Sequence, residues 1–370
     1  MYILYLIGLI IAENKGRSQY YTASVKPFVD IAFGLKKIGI ESVLFIPYSE
    51  EQLVPKLLDV THNQVEIVFY KKSNLKMKLE GSKVKYIMID DNISAMNRVL
   101  SLHLEKVKTI VYTQYLFGIN SNRSNLRRKS VKLLIASFLP WMLLTYFYRR
   151  SIAKFDFIIA NSRTCEYLLD KFYDLQSSGV VYPPVGVDMR ELIPQNKESA
   201  KKEGVLIFVG NSKNDFFLRD LRLETLRLKK ELKEPIRILA TDEETAELYR
   251  RLDFEVFSKI PVSELVLLLK NSRITYVPTT FELFGHVGAE SLICGTPVIL
   301  DTYHPFLELV PKYNRAVKIA STNLSIATQV LSIIEDNAEI CDLSNEILEK
   351  YSPEKSAMAL LGSLNIKANI

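Results

Sequence analysis

The sequence predicts an α/β protein of two doubly wound domains, each a parallel sheet with helices on both faces. Short apolar runs alternate with longer helical patterns in the first half, and the alternation resumes after an extended polar segment. A length of 370 residues also exceeds what one hydrophobic core usually supports. The expected domains span 1–185 and 186–350, and 351–370 is predicted as a helix that packs back on the first domain.

The first domain is predicted from six apolar runs, which fall at 2–11, 42–46, 65–69, 85–89, 109–112 and 156–160. Residues 24–38 have helical periodicity that stops at Gly39, as expected of the helix after the first strand. The first run lacks a basic segment and a cleavage site, and it is too short to span a bilayer. We therefore interpret it as a buried strand rather than a signal peptide.

The second domain is predicted from a later series of apolar runs, at 205–209, 236–239, 274–277 and 297–300, followed by helical patterns. Between the domains, Pro183 and Pro184 force an extended chain, and the polar stretch 191–204 is typical of a linker. Two such domains leave a cleft at the carboxyl ends of both sheets, where open α/β sheets bind ligands.

Composition limits the classes of partner. The cysteines are distant from one another and form no CxxC pattern, so reduced thiols, a cytoplasmic compartment and no metal site are expected; they are Cys165, Cys294 and Cys341. Residues 1–190 carry 26 Lys and Arg against 16 Asp and Glu, whereas 191–370 carry 22 against 26. The basic half suits a phosphorylated lipid, a membrane surface or nucleic acid, or is a solvated surface. No nucleic-acid motif accompanies the charge, so we expect no nucleic-acid partner.

The most informative segment is 279–300, which reads as strand end, loop, helix, glycine stop and strand. Gly285 lets the backbone approach a ligand closely, and a helix that begins near His286 has a positive end that binds a diphosphate. Glu282 and Glu290 are eight residues apart and can accept hydrogen bonds from sugar hydroxyls. In the alternative interpretation, Glu290 only complements the helix dipole and the glycine and proline that follow only end the helix.

This segment resembles the E-x7-E signature of retaining glycosyltransferases of the family 4 type. The positions that match in register are Pro278, Glu282, Phe284, Gly285, Glu290, Gly295, Pro297, Val298 and Ile299. Further similarity lies at 159–162, 181–185, 208–210 and 259–265. The resemblance implies a GT-B fold, in which two Rossmann-like domains face each other across a cleft. It also implies that a hexose moves from a nucleotide-sugar to an acceptor with retention of configuration, without a metal ion or other cofactor.

The resemblance also assigns roles on the donor side. Glu290 would bind the ribose hydroxyls, and Glu282 would contact the transferred sugar as a catalytic residue. Sugar and diphosphate would be lined by the backbone of Phe284, Gly285, His286 and Val287. The leaving phosphate would assist deprotonation of the acceptor hydroxyl, so that the protein contributes mainly orientation and charge stabilisation.

The loop after the first strand of the second domain departs from the family pattern. Members usually carry an arginine directly after the glycine that stands here as Gly210, and a lysine a few residues later. Here the arginine position is Asn211, and Lys213 is the one obvious cation. Lys213 is a candidate catalytic cation for the leaving diphosphate, or else an exposed loop lysine.

On the acceptor side, residues 111–118 resemble the Y-V-H-Y-P segment of lipid-linked-oligosaccharide mannosyltransferases. Gln114 stands at the histidine position, where it can hydrogen-bond a sugar hydroxyl but cannot take a proton near neutral pH. Gly16 and Arg17 are what remains of a glycine-rich loop after the first strand, and Arg17 is a candidate for contact with a phosphate of donor or acceptor, or else a solvated loop arginine.

An apolar segment at 131–148 contains Trp141, the one tryptophan of the chain. Basic residues flank it at Arg127, Arg128, Lys129, Arg149 and Arg150. Three interpretations remain open: a helix at an anionic lipid interface, a buried or dimer-forming helix, and insertion into a membrane. The first favours a peripheral protein on the cytoplasmic face of the membrane, with a lipid-linked acceptor.

Two alternative functions are also compatible with these sequence features. A sugar-nucleotide 2-epimerase has the same architecture, although the apolar segment argues against a soluble substrate. A non-catalytic binding or scaffold protein would account for Asn211 and Gln114. The residues do not distinguish GDP-mannose from a UDP-hexose as donor.

Overall fold

The computed structural model describes residues 6–10, 25–49, 65–80, 83–114, 116, 141–189, 192, 202–209, 215–232, 234–278, 284–300, 308, 317–319, 326–336 and 341–366. The chain divides into two compact units. The first comprises Met1–Val187 together with Tyr351–Ile370, and the second comprises Asp188–Lys350. Each unit is built on its own parallel sheet.

The first unit contains a seven-stranded parallel sheet in the order β3-β2-β1-β4-β5-β6-β7. Its strands are β1 (Leu6–Ile10), β2 (Ser42–Pro47), β3 (Glu66–Tyr70), β4 (Val84–Asp90), β5 (Lys108–Thr113), β6 (Phe157–Ala160) and β7 (Gly179–Val180). Strands β1 to β3 are added in one direction and β4 to β7 in the other. The strand order therefore reverses between β1 and β4, and this is the switch point at which such sheets bind ligands.

The helices of this unit in the described ranges are α1 (Lys26–Lys37), α2 (Leu75–Glu80), α3 (Ile93–Leu100), α4 (Trp141–Ile152), α5 (Arg163–Tyr173) and, from the end of the chain, α12 (Pro353–Ser363). Ile7 and Leu9 of β1 are fully buried, as expected of a central strand with helices on both faces. Burial on both faces of the sheet explains why the central strands appear in the sequence as apolar runs.

The last helix belongs to the first unit because α12 packs closely on α1. A Cβ atom added to Gly34 would lie 2.0 Å from the Pro353 carbonyl oxygen, so the two backbones meet where no side chain fits. Lys37 and Glu354 form an ion pair of 2.8 Å across the same contact. Phe28 and Leu361 are buried in the shared core.

The second unit contains a six-stranded parallel sheet in the order β10-β9-β8-β11-β12-β13. Its strands are β8 (Val205–Val209), β9 (Ile236–Ala240), β10 (Glu255–Ser258), β11 (Ile274–Val277), β12 (Val298–Leu300) and β13 (Val317–Ile319). Its helices are α6 (Asp215–Glu231), α7 (Glu243–Arg250), α8 (Val262–Asn271), α9 (His286–Ile293), α10 (Ile326–Asp336) and α11 (Cys341–Lys350). The strand order reverses between β8 and β11.

Three strands were not predicted from the sequence, namely β7, β10 and β13. All three are short strands at the edges of their sheets. Each has at most four residues and includes a glycine or a polar residue, so none of them forms a long apolar run.

The apolar segment at 131–148 is described from Trp141 onward, where it forms α4. Of the helices in the described ranges, none has both the length and the apolar character needed to cross a membrane.

Candidate functional site

The candidate site lies at the carboxyl edge of the second sheet, beside the switch point between β8 and β11. The β11 strand ends at Val277, and the described chain resumes at Phe284 before α9 begins at His286. The N-terminus of α9 therefore follows the carboxyl end of a central strand, in the position where α/β sheets bind phosphate groups. The predicted residues Glu282, Lys213, Gly210 and Asn211 lie outside the described residues.

Gly285 sets the start of α9. Its φ of 94° and ψ of 58° are left-handed, a conformation that glycine adopts without the strain a Cβ atom would cause. As the residue preceding the helix, it also has no side chain to cap the first turn. The positive end of the helix dipole is therefore presented without a protein carboxylate or hydroxyl at the capping position.

The accessible part of α9 is its N-terminal half. His286, Val287 and Glu290 are half-buried, whereas the remaining residues of the helix are buried. Phe284 is also buried, and its ring centroid lies 5.0 Å from that of His286 in an edge-on contact. Because positions i and i+4 share one helix face, His286 and Glu290 lie on the same side of α9. The structure thus brings together five predicted donor-side residues, Gly285 included.

The other end of α9 is fixed by buried hydroxyl groups. Ser291 Oγ lies 2.8 Å from Thr275 Oγ1 and donates to the Thr296 carbonyl oxygen at 3.0 Å. Thr296 Oγ1 in turn donates to the Leu269 carbonyl oxygen at 2.7 Å, which ties α9 to α8. Lys202 donates to the Gly295 carbonyl oxygen just beyond the helix. These contacts hold the helix rigidly behind its accessible end.

Glu290 also acts on the next turn of its own helix. Burial, followed by the negative charge of Glu290, raises the pKa of the Cys294 thiol to about 12, and Lys270 and Lys202 lower it in part. The thiol is therefore protonated near neutral pH, which favours a packing role for Cys294 over a nucleophilic one. Among the described residues, no group of three His, Cys, Asp or Glu side chains could hold a metal ion.

A second cluster lies at the carboxyl edge of the first sheet, around Asp91. Its carboxylate accepts hydrogen bonds from the backbone N–H groups of Gln114 at 2.9 Å and Leu116 at 2.8 Å. It also accepts one from the Tyr148 hydroxyl at 2.5 Å. Burial, followed by the charge of Asp91, raises the pKa of Tyr148 well above its ordinary value, so Tyr148 remains a donor.

This cluster places Gln114, the predicted acceptor-side residue, directly after β5 and half-buried. The other two acceptor-side predictions, Gly16 and Arg17, belong to a part of the chain that the structure leaves undescribed. The sequence analysis missed Asp90 and Asp91. The available signal was a pair of acidic residues immediately after the apolar run 85–89.

Helix α4 presents an aromatic face to solvent. Tyr146 and Phe147 are each about half exposed, with ring centroids 5.7 Å apart, while Tyr148 is buried. Arg149 and Arg150 are exposed at the end of the helix, and Arg149 pairs with Asp174. The backbone of Trp141 begins the helix. The predicted basic residues Arg127, Arg128 and Lys129 fall in a stretch without described coordinates.

Comparison with known proteins gives a family match for the second unit. Residues 189–352 match the sequence model described as "Glycosyl transferases group 1". No curated protein matches the chain by sequence. The assignment to this group thus covers the domain that carries α9.

Solved structures resemble the whole chain. Sucrose-phosphate synthase from Thermosynechococcus elongatus has a TM-score of 0.67 at 13% identity, with 98% of each chain covered. A glycosyltransferase from Rickettsia africae has a TM-score of 0.68 at 12% identity, again with 98% of each covered. Anabaena HepE, in complex with UDP, has a TM-score of 0.64 at 14% identity and covers 98% of this chain and 99% of its own.

These similarities confirm the predicted fold class, an α/β protein with parallel sheets in two domains. The matched group 1 domain, together with the glycosyltransferases among the structural neighbours, supports a transferase enzyme.

Proposed function

We propose that this protein transfers a hexose from a nucleotide-sugar to a hydroxyl group of an acceptor, with retention of the anomeric configuration. The observation that carries the proposal is the accessible N-terminal half of α9 beside the switch point of the second sheet, within the matched domain. A helix end and the carboxylate of Glu290 on one face suit a ligand that has both phosphate and hydroxyl groups.

The donor would lie along this face. The backbone from Phe284 to Val287 would contact the diphosphate and sugar, and Glu290 would accept hydrogen bonds from the ribose hydroxyls. Residues outside the described ranges would make the remaining predicted contacts, Glu282 with the transferred sugar and Gly210, Asn211 and Lys213 with the phosphates. HepE, a structural neighbour, was solved in complex with UDP, which supports a nucleotide as a ligand.

Catalysis would depend on charge stabilisation of the leaving diphosphate rather than on a metal ion. The positive end of α9 and the Lys213 side chain would oppose the negative charge that develops on the phosphate. The leaving phosphate would take the proton of the acceptor hydroxyl as that oxygen attacks the same face of the sugar. Since Asn211 replaces a cation, we expect a slow enzyme.

A thermal-shift screen tests the donor site. The purified protein is heated with UDP, GDP and their common hexose conjugates, because a ligand that binds only the native state raises the melting temperature. At a ligand concentration about 100 times its Kd, stabilisation is about 2.7 kcal/mol, which is readily measured. A selective shift with one base is the expected result. Equal melting temperatures with every nucleotide would favour a non-catalytic protein.

The acceptor is proposed to be lipid-linked or a glycan, and the enzyme to bind peripherally to the cytoplasmic face of a membrane. The exposed aromatic pair Tyr146 and Phe147 lies on the same helix as the exposed Arg149 and Arg150. Aromatic side chains with adjacent basic groups are typical of helices at anionic lipid interfaces. Lys and Arg near the surface would also attract the phosphate of a lipid carrier.

Vesicle sedimentation tests this surface. We expect the protein to sediment with vesicles of phosphatidylglycerol and phosphatidylcholine, and a Tyr146→Ser, Phe147→Ser variant to bind about tenfold more weakly, since it loses apolar contact area with the lipid. Met77→Ser, which removes an exposed apolar side chain on α2, is the matched control. Equal sedimentation of the double variant and the control would refute the lipid surface while leaving the donor site untouched.

A further inference from the structure

Asp90 is a buried carboxyl group at the switch point of the first sheet. It is the last residue of β4, and the preceding residue, Ile89, pairs with Ile10 at the end of β1. Only 6% of the residue is exposed. Within the described part of the chain, its Oδ1 atom has no hydrogen-bond partner. Buried carboxylate oxygens in proteins are nearly always paired, so this one requires an explanation.

The neighbouring aspartate has a different environment. Successive strand residues point to opposite faces of the sheet. Asp90 therefore lies on the same face as Met88, and Asp91 lies on the opposite face. Met88 packs in the core beneath α1, whereas Asp91 is satisfied by three donors that include Tyr148 of α4. Asp91 is thus a structural carboxylate that fixes the backbone of Gln114 and Leu116 just after β5. The same explanation is not available for Asp90.

Within the ranges that the structure describes, no neighbouring positive charge compensates Asp90. Burial, followed by repulsion from Asp91, raises the pKa of Asp90 to about 7, and the Asn92 backbone N–H lowers it in part. On α1, Lys26 and Asp30 pair with each other at 3.0 Å. On β5, Asp90 is in register with Tyr112, whose hydroxyl donates to the Val181 carbonyl oxygen. Among the described residues, the fold therefore retains a buried acidic group whose Oδ1 atom has no donor, which is typical of a binding site.

We propose that Asp90 binds a hydroxyl group of the acceptor substrate at the carboxyl edge of β4, and that the two adjacent aspartates exclude an anionic acceptor group from this position. The inference rests on the proposed transferase function and names the chemistry of its acceptor, a neutral sugar or polyol moiety. Any phosphate or carboxylate of the acceptor would lie away from Asp90 and Asp91, because like charges in a buried setting repel strongly.

The test uses equilibrium binding of simple acceptor probes, measured by ligand-observed NMR on the full chain. The probes are the methyl glycosides of glucose, mannose and galactose, with methyl glucuronide as the anionic counterpart. We expect at least one neutral glycoside to bind and methyl glucuronide to bind at least tenfold more weakly. Asp90→Asn should weaken the neutral probe about tenfold, and Asp90→Leu should abolish its binding, because a hydrogen bond to a charged group is lost.

The folded state of the variants separates binding from a structural role. Asn removes the charge that burial disfavours, so Asp90→Asn should raise the urea midpoint at pH 8, and raise it less at pH 5. A lower midpoint together with lost binding would mean that Asp90 is structural, and would overturn the proposal. Asp170→Asn, an exposed aspartate on α5, is the control and should change neither property.

Three further outcomes would contradict the proposal. Methyl glucuronide could bind as tightly as methyl glucoside, Asp90→Asn could bind the neutral glycosides as tightly as the unmodified protein, or no probe could bind at all. Nucleotide binding, measured separately by thermal shift on the same variants, keeps the two ideas distinguishable. If Asp90→Asn keeps both the nucleotide-induced rise in melting temperature and normal binding of the acceptor probes, this inference alone is contradicted. If no nucleotide raises the melting temperature of the unmodified protein, the proposed function is contradicted.

Discussion

Replacement of Glu290 by Ala is expected to lower kcat/KM for the nucleotide-sugar about 100-fold. Two hydroxyl groups that donate to a carboxylate contribute about 3 kcal/mol together, at the lower end of the range for hydrogen bonds to charged groups. This free energy corresponds to a factor of about 100. Because the ribose is remote from the bond that breaks, the loss should appear mainly as a higher KM. Initial rates of nucleoside diphosphate release over a range of donor concentrations measure both constants.

Glu290→Gln separates charge from shape at the same position. The amide can still accept one hydrogen bond, so we expect an intermediate loss of about tenfold. Glu264→Ala removes an exposed glutamate from the first turn of α8 in the same unit, and should retain normal kinetics. Since Glu290 is half-buried at the accessible end of α9, both Glu290 variants should keep the wild-type melting temperature within a few degrees. Wild-type kinetics in Glu290→Ala would remove Glu290 from the donor site.

Replacement of Asp91 by Ala is expected to reduce the free energy of unfolding of the first unit by about 3 to 5 kcal/mol. The substitution leaves three donors without their acceptor, and each buried unpaired donor costs about 1–3 kcal/mol. The three are the backbone N–H groups of Gln114 and Leu116 and the Tyr148 hydroxyl. Relief of the repulsion with Asp90 offsets part of the loss. Urea unfolding followed by tryptophan fluorescence is the measurement, because the single tryptophan, Trp141, belongs to the first unit.

The control for Asp91 is Asp170→Ala on α5. Asp170 is exposed and pairs with the exposed Lys171, so its removal should change the free energy of unfolding by less than about 1 kcal/mol. Asp91→Asn retains one carbonyl oxygen as acceptor, so its free energy of unfolding should lie between those of Asp91→Ala and Asp170→Ala. If Asp91→Ala unfolded at the same urea concentration as Asp170→Ala, the three hydrogen bonds to Asp91 would not stabilise the first unit.

The fold class could be predicted because each strand and helix leaves its own pattern in a short stretch of sequence. Central strands such as β1 and β11 are buried on both faces, so they appear in the sequence as unbroken apolar runs. Gly39 and Gly295 have positive φ angles, which is why a glycine follows the helical pattern at each place. The strands β7, β10 and β13 were missed because each has at most four residues and includes a glycine or a polar residue, so none forms such a run.

The donor-side residues of α9 could also be predicted, since they are adjacent in the sequence and form one turn of helix. The cluster around Asp91 could not, because its partner Tyr148 is 57 residues away and only the folded sheet brings them together. The same applies to Lys202, which reaches the end of α9 across 93 residues. A carboxylate oxygen that lacks a donor among the described residues, such as Asp90 Oδ1, cannot be identified from the sequence, because its neighbours are known only in the folded chain.

The central claim is that the chain transfers a sugar from a nucleotide-sugar. The most direct measurement incubates the protein with the conjugate of the nucleotide that raises its melting temperature, together with neutral glycosides and short lipid phosphate sugars as acceptors. Products are then identified by mass spectrometry and NMR. The account predicts release of the nucleoside diphosphate and a new glycoside with the anomeric configuration of the donor. An intact donor, or a donor whose sugar is inverted only at C2, would contradict it: the first outcome would indicate a binding protein and the second an epimerase.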